Sequence, residues 1–364
     1  MRANKSKKKS RPYGEVVDLF CGAGALSHGL KQAGFKIVAG YDTDERCRHA
    51  FEKNNSAKFF SRDVATLLAS EISSHFTGKY LKILAGCAPC QPFSTYKQRY
   101  DEDLQWGLVP KFAKLAVEVA PDFVTMENVP SLLKYKDGKV FNQFKTILED
   151  AGYKLVFSIA KCEEFGVPQQ RRRLVVIASK KYLPTNLVPT HSAPITVKQA
   201  IKSLPPLKAG ETCVNDSLHR ASSLSTTNLK RIRASKPGGT WKDWPEKLRA
   251  ACHQKPSGKT YSGVYARMSW DAPSPTMTTQ CYGYGNGRFG HPEQDRAISL
   301  REAAILQSFP SNYEFLPATE TPSLKEVGRW IGNAVPVKLG EAIGNAIALS
   351  SIQDRDAKNA GSKL

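Results

Sequence analysis

A cysteine in a proline-rich turn stands where a buried strand is predicted to end. The apolar residues before it predict a strand at Leu81–Gly86. Pro89 and Pro92 then predict a turn that places Cys90 beyond the strand end, where ligands collect in open α/β sheets. A thiol there could be a nucleophile, but Cys87 and Cys90 also have the spacing of a zinc site or a dithiol pair, and many buried cysteines are structural. Spacing alone leaves these three interpretations open.

A glycine turn, Asp18 to Gly24, follows the first predicted strand. Its glycines let backbone N–H groups at a helix N-terminus approach a ligand closely. Asp42 follows the second predicted strand and could accept hydrogen bonds from ribose hydroxyls, while Asp63 could meet an adenine amino group. Ser27 stands where a third glycine would complete a dinucleotide-binding fingerprint. These residues indicate either an adenosine-like cofactor site or a plain structural turn.

Strands and helices alternate around these residues. A predicted helix at 26–33 separates the first two strands, and the predicted strands are 15–20, 36–41, 81–86 and 123–127. Right-handed crossovers between them predict an α/β fold with a doubly wound, mostly parallel sheet. Two later β-rich runs, 153–160 and 173–179, are joined by a loop rich in proline, glutamine and arginine and predict an edge pair. Helical periodicity returns at 300–307 and 335–348.

Composition limits the class of protein. The chain has 364 residues, 41% hydrophobic and 24% charged, as in soluble globular proteins with roughly two domains. No apolar run approaches the roughly 20 residues of a membrane span, and the N-terminus lacks the apolar segment of a signal peptide. We therefore expect a cytoplasmic protein with no membrane partner, in which the eight cysteines are thiols.

The chain is strongly basic, with a net charge of +20 from 53 Lys and Arg against 33 Asp and Glu. Such a chain attracts polyanions, so nucleic acid is the expected partner. Residues 220–259 contain ten Lys or Arg against two acids, with Trp241, Trp244 and His253 among them. This mixture is typical of a surface that meets nucleic acid, although a solvated loop region would have the same composition.

Six short blocks together resemble the cytosine-5 DNA methyltransferases and occur in that family's order. The blocks are DLFCGAGALSHGL, GCAPCQPFS, MENV (126–129), VPQQRRR (167–173), SLREAAILQSFP (299–310) and GNAVPV (332–337). The resemblance covers roughly residues 16–347. It implies a Rossmann-like methyltransferase domain, a smaller irregular target-recognition domain, and S-adenosylmethionine as the cofactor.

The resemblance also assigns roles to matching positions. Cys90 would be the nucleophile, Glu127 the acid that contacts cytosine N3, and Arg171 and Arg173 the basic pair beside the base. From the residues alone, Glu127 could equally be a carboxylate at a helix N-terminus, and the arginines a phosphate clamp. No metal site is expected. The residues that would surround S-adenosylmethionine are Asp18, Phe20, Gly22, Ala23, Gly24, Asp42, Asp63, Val64, Asn333 and Val335.

The family pattern implies a catalytic domain that is split along the chain. Residues 267–279 look like the family's pattern late in the recognition region, and residues 96–107 are either a loop that closes over DNA or an ordinary connector. The implied division is a disordered basic tail (1–13), a first catalytic and cofactor-binding part (14–188), a target-recognition domain with a hinge (189–322), a returning catalytic part (323–354) and a disordered tail (355–364).

The chemistry explains why these residue types are needed. Cytosine C5 is a poor nucleophile, and addition of a thiolate to C6 makes C5 electron-rich while negative charge develops at N3 and O2. An ordinary cysteine is about 3% thiolate at pH 7, and lowering its pKa to about 7 raises that share only about fifteenfold. Glu127 is therefore expected to contribute more, as an acid that becomes effective once a cytosine fills the pocket. The base must first be flipped out of the duplex.

The expected protein is thus a monomeric DNA (cytosine-5)-methyltransferase that acts on a specific duplex sequence. A cognate restriction endonuclease would be a functional, not a physical, partner. The nearest rival interpretation is a tRNA cytosine-5 methyltransferase of the same fold, although the Cys-Phe-Thr signature of those enzymes is not found here. The sequence also leaves open a non-catalytic DNA-binding regulator and a nicotinamide dehydrogenase, and the incomplete glycine fingerprint disfavours the dehydrogenase.

Overall fold

A seven-stranded sheet organises the protein, whose computed structural model describes residues 13–89, 107–259 and 263–361. The strand order is β3-β2-β1-β4-β5-β7-β6. All neighbours are parallel except β7, which is antiparallel to both β5 and β6. The strands are β1 (Gly14–Leu19), β2 (Lys36–Asp42), β3 (Lys58–Ser61), β4 (Leu81–Gly86), β5 (Phe123–Asn128), β6 (Lys154–Lys161) and β7 (Arg172–Ser179).

Helices cover both faces of this sheet, and a short hairpin lies outside it. The helices are α1 (Ala25–Gln32), α2 (Arg48–Asn55), α3 (Ala69–Ser73), α4 (Leu108–Val119), α5 (Lys139–Asp150), α6 (Val197–Ile201), α7 (Thr226–Ala234), α8 (Ala251–Gln254), α9 (Pro256–Lys259), α10 (Leu300–Leu306), α11 (Leu324–Asn333) and α12 (Val337–Gly361). The hairpin is β8 (Thr212–Cys213) with β9 (Asp216–Arg220). The predicted α/β fold with a doubly wound, mostly parallel sheet is confirmed.

The central strand β1 shows why both faces are covered. All six of its residues are buried, and neighbouring side chains point to opposite faces, as in any strand. Val16 belongs to the hydrophobic cluster that includes α1 and α12, whereas Val17 belongs to the cluster formed with α4 and α5. A strand buried on both sides reads as a continuous apolar run, which is how β1 and β4 are visible in the sequence.

The C-terminal helix α12 packs directly on α1, beside the first strand. Gly29 of α1 and Gly340 of α12 face each other, and a Cβ on Gly29 would collide with the backbone carbonyl of Val337. Close contact between the two helices therefore requires glycine here. The periodicity at 335–348 marks the start of α12, but the helix continues to Gly361, through residues that composition predicts to be a frayed tail. Among the described residues, no helix is long and apolar enough to cross a membrane.

The segment between β7 and α10 has a small aromatic core of its own. Trp241, Trp244 and His253, which composition places on a nucleic-acid surface, are instead buried. The Trp241 and His253 rings stack with centroids 4.2 Å apart, and Trp244 packs edge-on against Tyr265. The aromatic residues therefore form the core of this segment, and its exposed residues include the basic side chains of the pattern. Those basic side chains are Lys230, Arg233, Lys236, Lys242, Lys247 and Lys255.

A buried ion pair fixes the start of α10. The guanidinium of Arg296 donates two hydrogen bonds to the Glu302 carboxylate, at 2.7 and 2.8 Å, and both side chains are almost fully buried. Glu302 also accepts from the backbone N–H of Ser299, which closes a capping box at the helix N-terminus. Arg296 and Glu302 therefore neutralise each other's charge at a place that water cannot reach.

We predict that Glu302→Ala lowers the free energy of unfolding by about 3–5 kcal/mol, because it leaves the Arg296 guanidinium buried without its counter-charge. Urea unfolding at neutral pH measures the loss. Glu293→Ala, at an exposed position nearby, is the matched control and should change stability by less than about 0.5 kcal/mol. A loss below about 1 kcal/mol for Glu302→Ala would contradict the assignment.

Candidate functional site

A cavity of about 300 Å³ opens at the carboxyl ends of β1, β2 and β4. This is the edge of an open α/β sheet at which ligands bind. The returning C-terminal segment closes the cavity from the other side. Nine of the ten predicted cofactor residues line it: Asp18, Phe20, Gly22, Ala23, Asp42, Asp63, Val64, Asn333 and Val335.

The tenth, Gly24, lies behind the cavity wall. It has φ +84° at the N-terminus of α1, and a Cβ there would collide with the side-chain amide of Asn55. Asn55 in turn donates to the Gly24 carbonyl oxygen. Gly24 therefore serves the packing of α1 against α2, and it is not among the residues that line the cavity.

The glycine turn is held in place by Asp42. One carboxylate oxygen of Asp42 accepts from the backbone N–H of Gly22 at 2.8 Å, and the other accepts from the N–H of Asp44 at 2.9 Å. Burial raises the pKa of Asp42, while these two N–H donors lower it. Phe20 and Gly22 both adopt positive φ, which turns the chain sharply at the end of β1. The turn thus brings backbone N–H groups to the cavity.

Asp18 is buried in the cavity wall with one oxygen unsatisfied. Its Oδ2 accepts from the Ser27 hydroxyl at 2.6 Å, whereas Oδ1 makes no hydrogen bond within the described residues. Burial raises the pKa of Asp18 to about 7. Asp63 is exposed and accepts from the N–H of Ala65, so it caps the turn at Val64–Thr66. The cavity therefore has a buried carboxylate acceptor, Asp18, and an exposed carboxylate acceptor, Asp63.

Asp44, Arg329 and Trp330 are among the cavity residues that sequence reasoning missed. Asp44 accepts from Trp330 Nε1 and from the Arg329 guanidinium, each at 2.8 Å, and all three line the cavity. These bonds join the loop after β2 to α11, nearly 290 positions later in the chain. A second carboxylate two positions after Asp42 was the available sequence signal, but its partners could not be read from the sequence.

Glu127, the penultimate residue of β5, lies beside this cavity, and its carboxylate is contacted on two sides. The side chain is buried, with 3% of its surface exposed. Arg173 Nε forms an ion pair with Oε1 at 3.0 Å, and the Cys87 thiol donates to Oε2 at 3.0 Å. Within the described residues Oε1 makes no hydrogen bond, because the Arg173 contact lacks hydrogen-bond geometry. The buried oxygen Oε1 is therefore ion-paired with Arg173 but accepts no hydrogen bond from the described residues.

The two predicted arginines have different surroundings. Arg173 reaches Glu127, but Arg171 donates to the carbonyl oxygens of Met277, Gly332 and Ala334 at 3.0–3.3 Å. Burial, together with the neighbouring Arg173 charge, lowers the pKa of Arg171 to about 10. Arg171 thus joins the chain at Met277 to the C-terminal segment at Gly332 and Ala334, and the arginine that touches Glu127 is Arg173.

The predicted nucleophile Cys90 and most of the candidate loop at 96–107 lie outside the described residues. The residues before them are described. Pro89, which precedes Cys90 in the sequence, lines the cavity. The Asn128 amide donates to the Ala88 carbonyl oxygen at 3.2 Å, and so joins the chain after β4 to the end of β5.

Comparison with known proteins identifies the family. The model of the family described as C-5 cytosine-specific DNA methylase matches residues 14–349. This chain belongs to the C-5 cytosine-specific DNA methylases. The methylase is 48% identical to Type II methylase M.HgiDII of Herpetosiphon aurantiacus over 92% of this chain and 95% of the relative. It is 34% identical to Type II methyltransferase M.PspPI of a Psychrobacter strain, over 93% of this chain and 79% of the relative.

Solved structures support the same fold for this methylase. A putative DNA modification methyltransferase encoded in an Escherichia coli prophage superimposes with a TM-score of 0.71 at 22% identity. The match covers 92% of this chain and 99% of that chain. The prediction of a DNA (cytosine-5)-methyltransferase, made from the six sequence blocks, is confirmed.

The methylase should show a pH-dependent stability that originates at Asp18. Its pKa of about 7 in the fold exceeds the value of about 3.9 in an unfolded chain, so the folded protein binds this proton more tightly. The free energy of unfolding therefore falls as pH rises from about 4 to about 7. Asp18→Asn, which keeps an acceptor for Ser27, should remove this slope and stabilise the protein above pH 7 by on the order of a few kcal/mol.

Urea unfolding of both proteins from pH 5 to pH 8, without added cofactor, measures the difference. The variant's advantage should grow as pH rises. Parallel stability curves for the two proteins would show that Asp18 does not titrate in this range.

Proposed function

We propose that this methylase transfers the methyl group of S-adenosylmethionine to a cytosine flipped out of duplex DNA, through a transient bond between Cys90 and C6 of the base. The observation that carries this proposal is Glu127 Oε1, which is buried and ion-paired with Arg173 but accepts no hydrogen bond from the described residues. A buried carboxylate oxygen without a hydrogen bond is rare in a folded protein, and a hydrogen bond to an entering base would satisfy it.

Cys90 and Glu127 would act together in one addition to the cytosine ring, Cys90 as the nucleophile and Glu127 as the acid. The Cys90 thiolate forms a bond to C6, and Glu127, protonated at Oε1, gives its proton to N3 as negative charge develops there. C5 then takes the methyl group. The neutral thioether S-adenosylhomocysteine would be left behind. Loss of the C5 proton to a base, release of the sulfur from C6 and return of the N3 proton to the Glu127 carboxylate would then restore the neutral aromatic ring, the thiolate and the protonated acid. Arg173, paired with Glu127 Oε1, would stabilise the carboxylate that forms when the proton leaves.

The residues of the cavity fit a cationic, ribose-bearing cofactor. When bound, S-adenosylmethionine supplies a methyl group on a positively charged sulfur. Asp42 and Asp63 would accept from ribose and adenine, and the open Oδ1 of Asp18 would accept from the ammonium group of the methionine part. Phe20 and Val335 would supply apolar contact. Backbone N–H groups of the glycine turn would meet the carboxylate end.

Duplex DNA is the proposed substrate, and residues 189–322 are proposed to select its sequence. The exposed lysines and arginines of residues 220–259 would neutralise phosphates, whereas the buried aromatic rings of that segment would keep its shape. Relatives are named Type II methyltransferases, so we propose a place in a restriction-modification system, with the cognate endonuclease as functional partner. We further propose that the methylase is a cytoplasmic monomer.

Covalent trapping tests the role of Cys90. Duplex DNA carrying 5-fluorocytosine at the target should form an adduct with the wild-type methylase that survives denaturing electrophoresis, because fluorine cannot leave C5 as a proton does. Bisulfite sequencing of DNA from expressing cells first identifies the target. Cys90→Ala should form no adduct, and tRNA should not replace duplex DNA. An adduct with Cys90→Ala, or none with wild type, would exclude this mechanism.

Substitution of Glu127 tests the acid. Glu127→Gln keeps the size of the side chain but removes its transferable proton, so kcat should fall by about 10²–10⁴-fold. The affinity for unmodified duplex DNA should change by less than about threefold, as measured by fluorescence anisotropy, because binding rests mainly on phosphate contacts. A Glu127→Gln variant with wild-type kcat would remove Glu127 from the mechanism.

A further inference from the structure

Cys87 touches both halves of the site at once. It is the first residue after β4, its thiol donates to Glu127 Oε2 at 3.0 Å, and it lines the cofactor cavity. Its backbone N–H is bonded to the Leu19 carbonyl at 3.3 Å, which fixes the base of the side chain to the end of β1. The thiol therefore approaches Glu127 from a rigid support.

We propose that Cys87 is a positioning residue that fixes Glu127 Oε2 and so leaves Oε1 as the oxygen that faces the target cytosine. This inference rests on the proposed catalytic role of Glu127. A carboxylate held at only one oxygen can rotate about its terminal bond, which has a broad, roughly two-fold torsion. With Cys87 at Oε2 and Arg173 beside Oε1, the two oxygens of Glu127 are no longer equivalent.

A thiol suits this task because it is a weak donor. A second charged donor, at Oε2, would favour the ionised carboxylate further and oppose the protonated form that must donate to N3. The S–H group orients the carboxylate, but its hydrogen bond to Oε2 is weak, so weakening that bond when Glu127 takes up a proton costs little free energy. Orientation and proton transfer are thereby compatible in one side chain.

The position of Cys87 also links the base site to the cofactor site. A ligand in the cavity packs against the same side chain that orients Glu127. The neighbouring bond from Asn128 to the Ala88 carbonyl holds the next residue of this turn in place. Movement of the chain after β4 would therefore disturb the cavity wall and Glu127 together.

The test is a kinetic comparison of Cys87→Ala and Cys87→Ser with wild type. Cys87→Ala should lower kcat about tenfold, since a misplaced catalytic group costs up to about 100-fold. KM for DNA and the Kd for S-adenosylhomocysteine should change by less than about threefold. Cys87→Ser restores a donor and should recover kcat to within about threefold of wild type. Cys213→Ser, at a half-buried thiol in β8, is the matched control and should leave all three constants unchanged.

A double-mutant cycle with Glu127→Gln separates positioning from a general effect on the fold. If Cys87 acts through Glu127, Cys87→Ala should cause no further loss of kcat in the Glu127→Gln background. Additive losses would overturn the proposal, as would wild-type kcat for Cys87→Ala or no rescue by serine. In each of these cases a wild-type methylase that methylates DNA and is trapped by 5-fluorocytosine leaves the proposed function standing. Failure of the wild type in both assays would instead refute the proposed function.

Discussion

The buried charge of Glu127 is the constraint around which the neighbouring strands are arranged. An isolated carboxylate inside a protein costs several kcal/mol, so a cation must reach the end of β5. Because β7 runs antiparallel to β5, its first residues lie beside the last residues of β5, and Arg173 stands next to Glu127. A parallel neighbour would bring its opposite end to that place. The single reversed strand in the sheet is therefore what supplies the counter-charge.

The same β6–β7 connection also assembles the rest of the site. Gln169 is fully buried, accepts from the Met277 N–H at 2.9 Å and donates to the Leu306 carbonyl at 3.1 Å. Arg171 adds bonds to Gly332 and Ala334. Three distant parts of the chain, around residues 277, 306 and 332–334, thus bond to the loop that immediately precedes Arg173. The loop that precedes Arg173 is therefore bonded both to the segment between β7 and α10 and to the C-terminal segment.

Much of the fold could be predicted because its strands are short apolar runs, and β2, β4 and β5 end at or beside a carboxylate or a glycine. The residues that line the cavity could be predicted as well, since side chains such as Asp42 lie at the ends of those strands. The sequence did not predict the surroundings of individual side chains. Arg171 and Arg173 look equivalent in the sequence, and only the positions of residues 277, 332 and 334 separate their roles. Likewise, Trp241 is buried in a cluster that includes Tyr284 and Ala297, which are distant in the sequence, and composition cannot reveal such partners.

The protein separates two opposite electrostatic demands. Its net charge is +20, which attracts polyanionic DNA, yet the cavity at the strand ends is lined by four carboxylates against two arginines, Arg62 and Arg329. The carboxylates are those of Asp18, Asp42, Asp44 and Asp63. Exposed charges are screened beyond about 10 Å at ordinary ionic strength, whereas charges in a partly buried cavity are screened less, so each region keeps its own sign. A sulfonium loses its positive charge when its methyl group leaves. If the cavity binds a sulfonium cofactor as proposed, its carboxylates would hold the neutral thioether product less tightly than the charged cofactor, and the charge of the cavity would favour exchange of product for cofactor.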